Sequence, residues 1–417
     1  MSTTSDLTRP ATVVVDAFST GATLARRAAR HHRVVHVRSR AGLPATFAAS
    51  LPTEVLAEDH DYTADAEQVV RRLRDVAPVA VVCASEFGVE AADDLADRLG
   101  LRGNDPALSR ARRDKGAMMD VLAAAGVRTA RQLRSDDPER AAAWQDAQGL
   151  GRVVVKPVDS AGSDDVYVCT TAQEVRAAVA RTLGKTNIML RANTSVLVQE
   201  FLDGRELVVN TVSRDGRHWV TDAWASTKTA VPGGRTVYAY EDLLPGDDEL
   251  LVGSVVPYVE SVLDGLGIRN GPAHTELVVT SDGPVLLETG ARISGLANPA
   301  ALDLCTGANQ VDLTLDCFLG DGAALHGRAT AYRAVRAARC VNLVARRAVP
   351  LPAARFEEAL RGLPAFESVR WRVADGSTLR PTEDLNSSPG VVFLVHEDPQ
   401  EVQRSYDALV RLEDELL

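Results

Sequence analysis

Two glutamates and an arginine stand close together in the segment GPAHTELVVTSDGPVLLETGARISGLAN, residues 271–298. Glu276, Leu277, Val278 and Val279 read as one strand. Val285, Leu286, Leu287 and Glu288 read as a second. Ser281, Asp282, Gly283 and Pro284 supply turn chemistry between them. With the turn centred on Asp282, Glu276 falls opposite Glu288, and side chains that alternate with period two then share one face. Facing like charges destabilise a hairpin unless a cation lies between them, and carboxylate oxygens suit Mg²⁺. Two solvated glutamates at strand ends are the plainer reading, because a one-residue slip sends them to opposite faces. Arg292, four residues on in a Gly-rich loop, suits a phosphate-bearing substrate beside such a metal.

Two lysines raise the same chemistry elsewhere. Lys156 ends the apolar strand Val153–Val155 and precedes the small residues Ser160, Gly162 and Ser163, whose backbone could approach an anion closely. The order is not that of GxxxxGK[ST], and Asp164 and Asp165 count against a simple anion nest. An ordinary hairpin turn is the plainer alternative. Lys115 lies in the basic helical segment SRARRDKGAMMDVLAAAGV, and reads as a surface lysine unless a cation is needed there. Ser85 and Glu86 leave the carboxyl end of the strand Val79–Cys83, where ligands of open α/β sheets bind. They could hold a substrate amine or polar group, or Ser85 could cap the next helix with Glu86 in its first turn.

The elements that must position these residues fall into four stretches. Residues 1–105 start as βαβ, from Thr12–Val15 through ATLARRAARHH to Val34–Val37, and predict an α/β domain. Gly21 stands alone without GxGxxG, which argues against a dinucleotide site. LRGNDP at 101–106 is a linker. Residues 106–205 carry both lysines, a helix over 172–184 and the strand SVLVQE. Residues 206–320 alternate as antiparallel strands (LVVNTV and HWVTDAW around RDG), then a loop over 228–248 holding Lys228 and Arg235, a helix over about 249–266, the glutamate hairpin and a helical region to Leu319. Residues 321–417 mix strand-like VNLVARR and VVFLVHE with helix-like ARFEEALRGL and PQEVQRSYDALVRLEDELL, and show no chemical motif.

Composition narrows the function. The 417 residues are 45% hydrophobic and 25% charged, as in an ordinary globular protein, and the net charge of −11 argues against nucleic acid or an anionic membrane as partner. The five cysteines are scattered, so neither a zinc site nor a disulfide framework is expected. The polar start MSTTSDLTRP and the lack of any apolar run near ~18 residues predict a cytoplasmic protein without a membrane span.

Taken in order, these segments resemble the ATP-grasp superfamily over about residues 12–320. RRDKGAMMDVLAAAGV resembles its first lysine helix, VVVKPVDSAGSDDV its second lysine and phosphate loop, VQEFLDGRE its adenine hinge and ribose glutamate, and HTELVVTSDGPVLLETGARISG its metal-binding core. The endings GPAHTE and LLETGARISG are most similar to L-amino-acid (dipeptide) ligases and related natural-product carboxylate–amine ligases. The resemblance implies an α/β N-terminal domain, an α+β ATP-grasp core whose two subdomains clamp ATP, and a C-terminal α+β extension. It also implies site roles. Lys115 and Lys156 would bind the ATP phosphates, and Ser160, Gly162 and Ser163 would cover them. Gln199 would face the adenine amino group, with the Glu200 and Leu202 backbone bordering the ring, and Glu206 would hold the ribose. Glu276 and Glu288 would hold Mg²⁺, for which Mn²⁺ could substitute, and Arg292 would meet the acyl phosphate and the tetrahedral intermediate. Many members carry Asn where this chain has Gly290, which leaves further metal ligands open.

The implied reaction is amide or peptide bond formation through an acyl phosphate, with release of ADP and phosphate and amino-acid or other small carboxylate substrates. Ser85, Glu86, His274 and Lys228 are the candidate substrate contacts. Glu86, His274 or phosphate itself could take the amine proton, although His274 is more readily structural. A carboxylase-type reaction and a non-catalytic ATP-binding protein are the alternatives. No biotinyl-lysine context surrounds Met1, Met118, Met119 or Met189, which excludes only a fused carrier. Homodimers are common in the family, so a second copy of the chain is an expected partner to test.

Overall fold

The computed structural model describes residues 8–43, 45–160, 164–231 and 235–417. The N-terminal sheet is parallel, in the order β3-β2-β1-β4, from β1 (Ala11–Val15), β2 (Arg33–Arg38), β3 (Leu56–Asp61) and β4 (Ala80–Cys83). Every residue of β1 is buried, because helices cover both faces of such a sheet. The second sheet is antiparallel, in the order β5-β8-β6-β7, from β5 (Gln132–Ser135), β6 (Val153–Pro157), β7 (Tyr167–Cys169) and β8 (Val196–Glu200). The expected α/β start and α+β continuation are both present.

The largest sheet has eight antiparallel strands in the order β13-β12-β9-β10-β11-β14-β16-β15. These are β9 (Arg205–Arg214), β10 (Arg217–Val231), β11 (Arg235–Leu243), β12 (Gly271–Thr280), β13 (Gly283–Gly290), β14 (Ala337–Asn342), β15 (Phe366–Trp371) and β16 (Gly390–His396). The C-terminal strands therefore continue the sheet that carries the glutamate hairpin, joined where Tyr240, Glu241 and Asp242 of β11 pair with Val341, Cys340 and Arg339 of β14.

Two segment readings need correction. The stretch 228–248 is largely strand: Lys228 to Val231 extend β10 and pair with β11, across a bulge between Thr227 and Lys228. Its threonines and valines favour a pleated ladder over the loop that its glycines and prolines suggest. The strand expected at VNLVARR is instead Ala337–Asn342, because its partner β16 begins at Gly390, and Leu343 makes the last hydrogen bond to that carbonyl. The strand β5 and the helix Pro138–Ala147 have no counterpart in the sequence reading. Asp137 caps that helix by accepting from Glu139 N, and Pro138 occupies its first turn.

Caps set the helices that matter for the site. Asp114 accepts from Ala117 N, so the helix Lys115–Ala124 begins at Lys115 itself. Asn298 and Asn309 cap Pro299–Thr306 and Gln310–Leu319 in the same way, directly after the Arg292 loop. Among the described residues no helix is long and apolar enough to cross a membrane.

Candidate active site

Glu276 does pair with Glu288, by a route that a simple residue count does not show. The turn is the two-residue Ser281–Asp282, so Val278 faces Val285 and Leu277 faces Leu286. Continued without interruption, that register would set Glu276 opposite Leu287. A bulge at this point moves the pairing on by one and brings Glu288 opposite Glu276. Bulges commonly re-aim side chains beside functional sites.

The pair looks into a cleft of about 240 Å³ between the hairpin and the second sheet. Lys115, Lys156, Ser160, Gln199, Glu200, Leu202, Glu206 and Lys228 all line it; Gly162 and Ser163 lie outside the described residues. Lys115 Nζ donates to the Ser160 carbonyl at 2.7 Å and ion-pairs with Glu288. Lys156 is 7% exposed, and burial, then the charge of Lys115, pushes its pKa down to about 8 against the pull of Glu288 and Glu276. A buried ammonium group beside a half-buried one is an arrangement that a polyanion would match. Glu206 accepts from Lys228 Nζ at 2.6 Å and from the Tyr238 hydroxyl. Gln199 is 2% exposed, and its side-chain nitrogen lacks a partner, a free hydrogen-bonding position at the hinge. The Glu200 carboxylate is engaged by Arg131, at 2.9 Å from N and 2.7 Å from Nε.

A second cavity, about 650 Å³, adjoins the first and shares Glu206, Tyr238, Glu276, Glu288 and Leu385 with it. His274 and Arg292 line it. His274 holds Asn210 Oδ1 at 2.8 Å through Nδ1 and approaches Glu276 Oε1 at 3.3 Å through Nε2, while Asn210 donates to buried Asp222. Burial raises the Glu276 pKa, but His274, Arg292 and Lys115 more than reverse that and keep it below the usual carboxylate value. Glu241 also faces the cavity, and burial, then Glu276, Glu206 and Asp222, pushes its pKa up to about 8.

Ser85 and Glu86 line neither cavity. Ser85 stands at the N-cap position, yet its hydroxyl makes no cap bond and has no partner. Glu86 accepts from Arg292 Nε at 2.6 Å and ion-pairs with Arg113, which also donates to Asp159 at 2.6 Å. Burial works to raise the Glu86 pKa, and Arg113, Arg292 and Lys115 overcome it and bring it down to about 2. A carboxylate so held stays ionised and is a poor proton acceptor. It also accounts for Gly290: a Cβ there would stand 2.6 Å from Glu86 Oε2.

Sequence reasoning missed Arg113, Asn210, Asp222, Tyr238 and Glu241, together with Arg370 and Arg372 in the C-terminal segment. Arg113 sat inside the RARRDK run, where its neighbours looked like a solvated basic face. Arg370 and Arg372 carry a visible signal, two cations at period two in VRWR. Among the described residues no three His, Cys, Asp or Glu side chains cluster to hold a metal, so a cation here would rest on Glu276, Glu288 and oxygens of its ligands. Two carboxylates suit Mg²⁺, which keeps several waters and substrate oxygens in its shell.

The chain is similar to several known proteins. The model of the phosphoribosylglycinamide synthetase ATP-grasp (A) domain matches residues 113–296. The chain is 31% identical over 399 residues to dapdiamide A synthase of Enterobacter agglomerans, covering 93% of this chain and 92% of that one. Among solved structures it is similar to an L-amino acid ligase from Bacillus licheniformis, with TM-score 0.73 and 20% identity over 97% of both chains. An N5-carboxyaminoimidazole synthase from Aspergillus clavatus shares the fold as well, with TM-score 0.71 and 12% identity over 98% of this chain and 100% of that one.

Proposed function

We propose that this chain, which belongs to the ATP-grasp superfamily, joins the carboxylate of one amino acid to the amino group of another. It is an ATP-dependent carboxylate–amine ligase that works through an acyl phosphate and releases ADP and phosphate. One observation carries the assignment of the site: Glu276 and Glu288 form a wall common to the lysine-lined cleft and to the larger cavity that holds Arg292. A nucleotide in the first and an acid in the second would meet there.

Each side chain then has a task. Gln199 and the Leu202 backbone would receive adenine, and Glu206 the ribose, exchanging Lys228 for ribose hydroxyls. Lys115 and Lys156 would meet the triphosphate, and Lys115 would leave Glu288 to do so. Their charges offset what builds on the γ-phosphoryl oxygens as it moves to the acid. Mg²⁺ held by Glu276 and Glu288 would supply further charge neutralisation on the phosphates. Arg292 would stabilise the oxyanion formed when the amine attacks, using the donors not committed to Glu86 and to the Ile293 carbonyl. Glu86 would be a positioning residue, fixing the guanidinium through Nε. His274, tied to Asn210 and Asp222, would orient Glu276. The apolar side of the cavity, with Val208, Trp224, Leu302 and Phe393, would take a substrate side chain.

The test is ADP release by purified protein with ATP, Mg²⁺ and amino acids offered singly and in pairs, with products weighed by mass spectrometry. Amide formation that stops in Glu288→Ala and Arg292→Ala supports the reading. Amide formation that persists in either variant removes the site assignment.

A further inference from the structure

Among the described residues, two cations that line the larger cavity pair with no carboxylate. Arg370 lies in β15 and Arg372 follows two residues later, and both line the cavity. Arg370 Nη2 donates to the Gly295 carbonyl at 3.0 Å. Arg372 Nη1 donates to the Leu385 carbonyl at 2.8 Å, and its Nη2 reaches Asn342 Oδ1 at 3.4 Å. Neither makes an ion pair among the described residues. Arg292, which lines the same cavity, does pair with Glu86, and Arg339 of β14 pairs with Asp242. A guanidinium has five donors, so most of those on Arg370 and Arg372 are uncommitted. Asn342, 2% exposed, lies behind Arg372 and outside the cavity lining, and its side-chain nitrogen has no acceptor. Burial, then the charge of Arg370, lowers the Arg372 pKa to about 10, which still leaves it charged at neutral pH.

The cavity is therefore divided by charge. Its carboxylates Glu206, Asp222, Glu241, Glu276 and Glu288 come from β9 to β13, and this arginine pair comes from the C-terminal segment. Uncompensated charge in a concave site is costly unless a ligand matches it. Forked guanidinium donors match a carboxylate bidentately.

We propose that Arg370 and Arg372 bind the carboxylate of an amino-acid substrate that does not react. This rests on the reading of the chain as an amino-acid ligase. Such an enzyme handles at least two carboxylates, and only one is to meet the γ-phosphoryl group. The other is attracted to the arginine pair and repelled by the acidic wall. An acceptor amino acid always brings this second carboxylate, and a dicarboxylic donor brings one too.

The experiment compares wild type with Arg370→Gln, Arg372→Gln and Arg372→Lys, offering the acceptor as free acid or α-amide, and a dicarboxylic donor as free acid or as the monoamide of the carboxylate that does not react. Thermal melts and the KM for ATP monitor folding and the nucleotide cleft. Loss of a charged hydrogen bond should raise the KM of the carboxylate-bearing substrate about tenfold to a hundredfold in the Gln variants, with partial recovery in Arg372→Lys. The KM for ATP should not move, and the preference for free acid over amide should collapse. An effect confined to the acceptor identifies its α-carboxylate as the ligand; one confined to the donor identifies the donor's second carboxylate. Unchanged KM values with an unchanged preference for the free acid overturn the proposal while leaving the ligase reading intact. If wild type releases no ADP with any amino acid, the ligase reading fails. Calorimetric titration of free amino acids against their amides then still decides the subsite: equal affinities in wild type and Gln variants overturn it.

Discussion

Glu86→Gln removes the charge that Arg113 and Arg292 share and leaves the side chain's shape nearly unchanged. In the folded chain Glu86 titrates near about 2 rather than its ordinary 4.5, because Arg113, Arg292 and Lys115 outweigh its burial. Its side chain is 19% exposed, so solvent screens these contacts only modestly. A difference of about 2.5 units at about 1.36 kcal/mol each corresponds to about 3 kcal/mol. The sign follows from the direction. The folded state keeps Glu86 ionised at lower pH than the unfolded state, so its stabilisation is complete above ~5 and is lost as pH falls from there toward ~2. At pH 7 the Gln variant should therefore melt several degrees lower. That gap should shrink steadily below pH 5, since glutamine cannot titrate. Turnover should fall as well, because Arg292 Nε loses its charged acceptor at 2.6 Å. The amide oxygen can still accept, so the loss should stay below the 10²–10³-fold that removal of an oxyanion donor causes. Differential scanning calorimetry from pH 7 to 3, paired with ADP release at pH 7, reads both effects. Equal melting temperatures at pH 7, or a gap that does not change with pH, would refute this account of Glu86.

Arg292→Ala should lower the rate of ADP release by about 10²-fold or more while the melting temperature falls by no more than it does in Glu86→Gln; near-normal turnover would count against Arg292 as oxyanion donor. Gly290→Ala should impair turnover through its 2.6 Å approach to Glu86 Oε2, and the defect should be non-additive with Glu86→Ala by about 0.5–3 kcal/mol. Full additivity in that double-mutant cycle would sink the link between the two residues. Arg112 is fully buried and donates to Asp93 at 2.7 Å, to the Leu266 carbonyl at 2.8 Å and to the Asp105 carbonyl at 2.6 Å, so Arg112→Ala should destabilise by about 3–5 kcal/mol, visible as a lower melting temperature. An unchanged melt would show that the chain relaxes around the lost guanidinium.

The nucleotide cleft was legible because its residues lie in short runs with recognisable local chemistry. Lys115 follows its capping Asp114, Lys156 ends a valine strand, and Glu276 and Glu288 flank a turn of Asp and Gly. The register was harder. A count from Asp282 reaches the right pair, yet the turn is shifted by half a residue and a bulge restores the pairing, and local propensity encodes neither feature. In the sequence Glu86 looks like a substrate contact or a helix-end acid, because its partners, Arg113 and Arg292, lie 27 and 206 residues away. The same holds for the C-terminal segment. Nothing in VRWR says that β15 completes the sheet bearing the glutamate hairpin, so its two cations at period two are visible in the sequence but have no place in a site until the topology puts them in the cavity. Residues 228–231 show the remaining failure, in which glycines and prolines nearby hid a strand that tertiary pairing makes regular.

On the proposed function, the cleft and the larger cavity act together as one amide-forming site. Its most direct measurement is the ratio of amide product to ADP when two amino acids are supplied with ATP and Mg²⁺. The account predicts one amide bond for each ADP and phosphate released, with no ADP above background when the acid is withheld. ADP formed without an amide product, or formed equally well with no amino acid present, would contradict it.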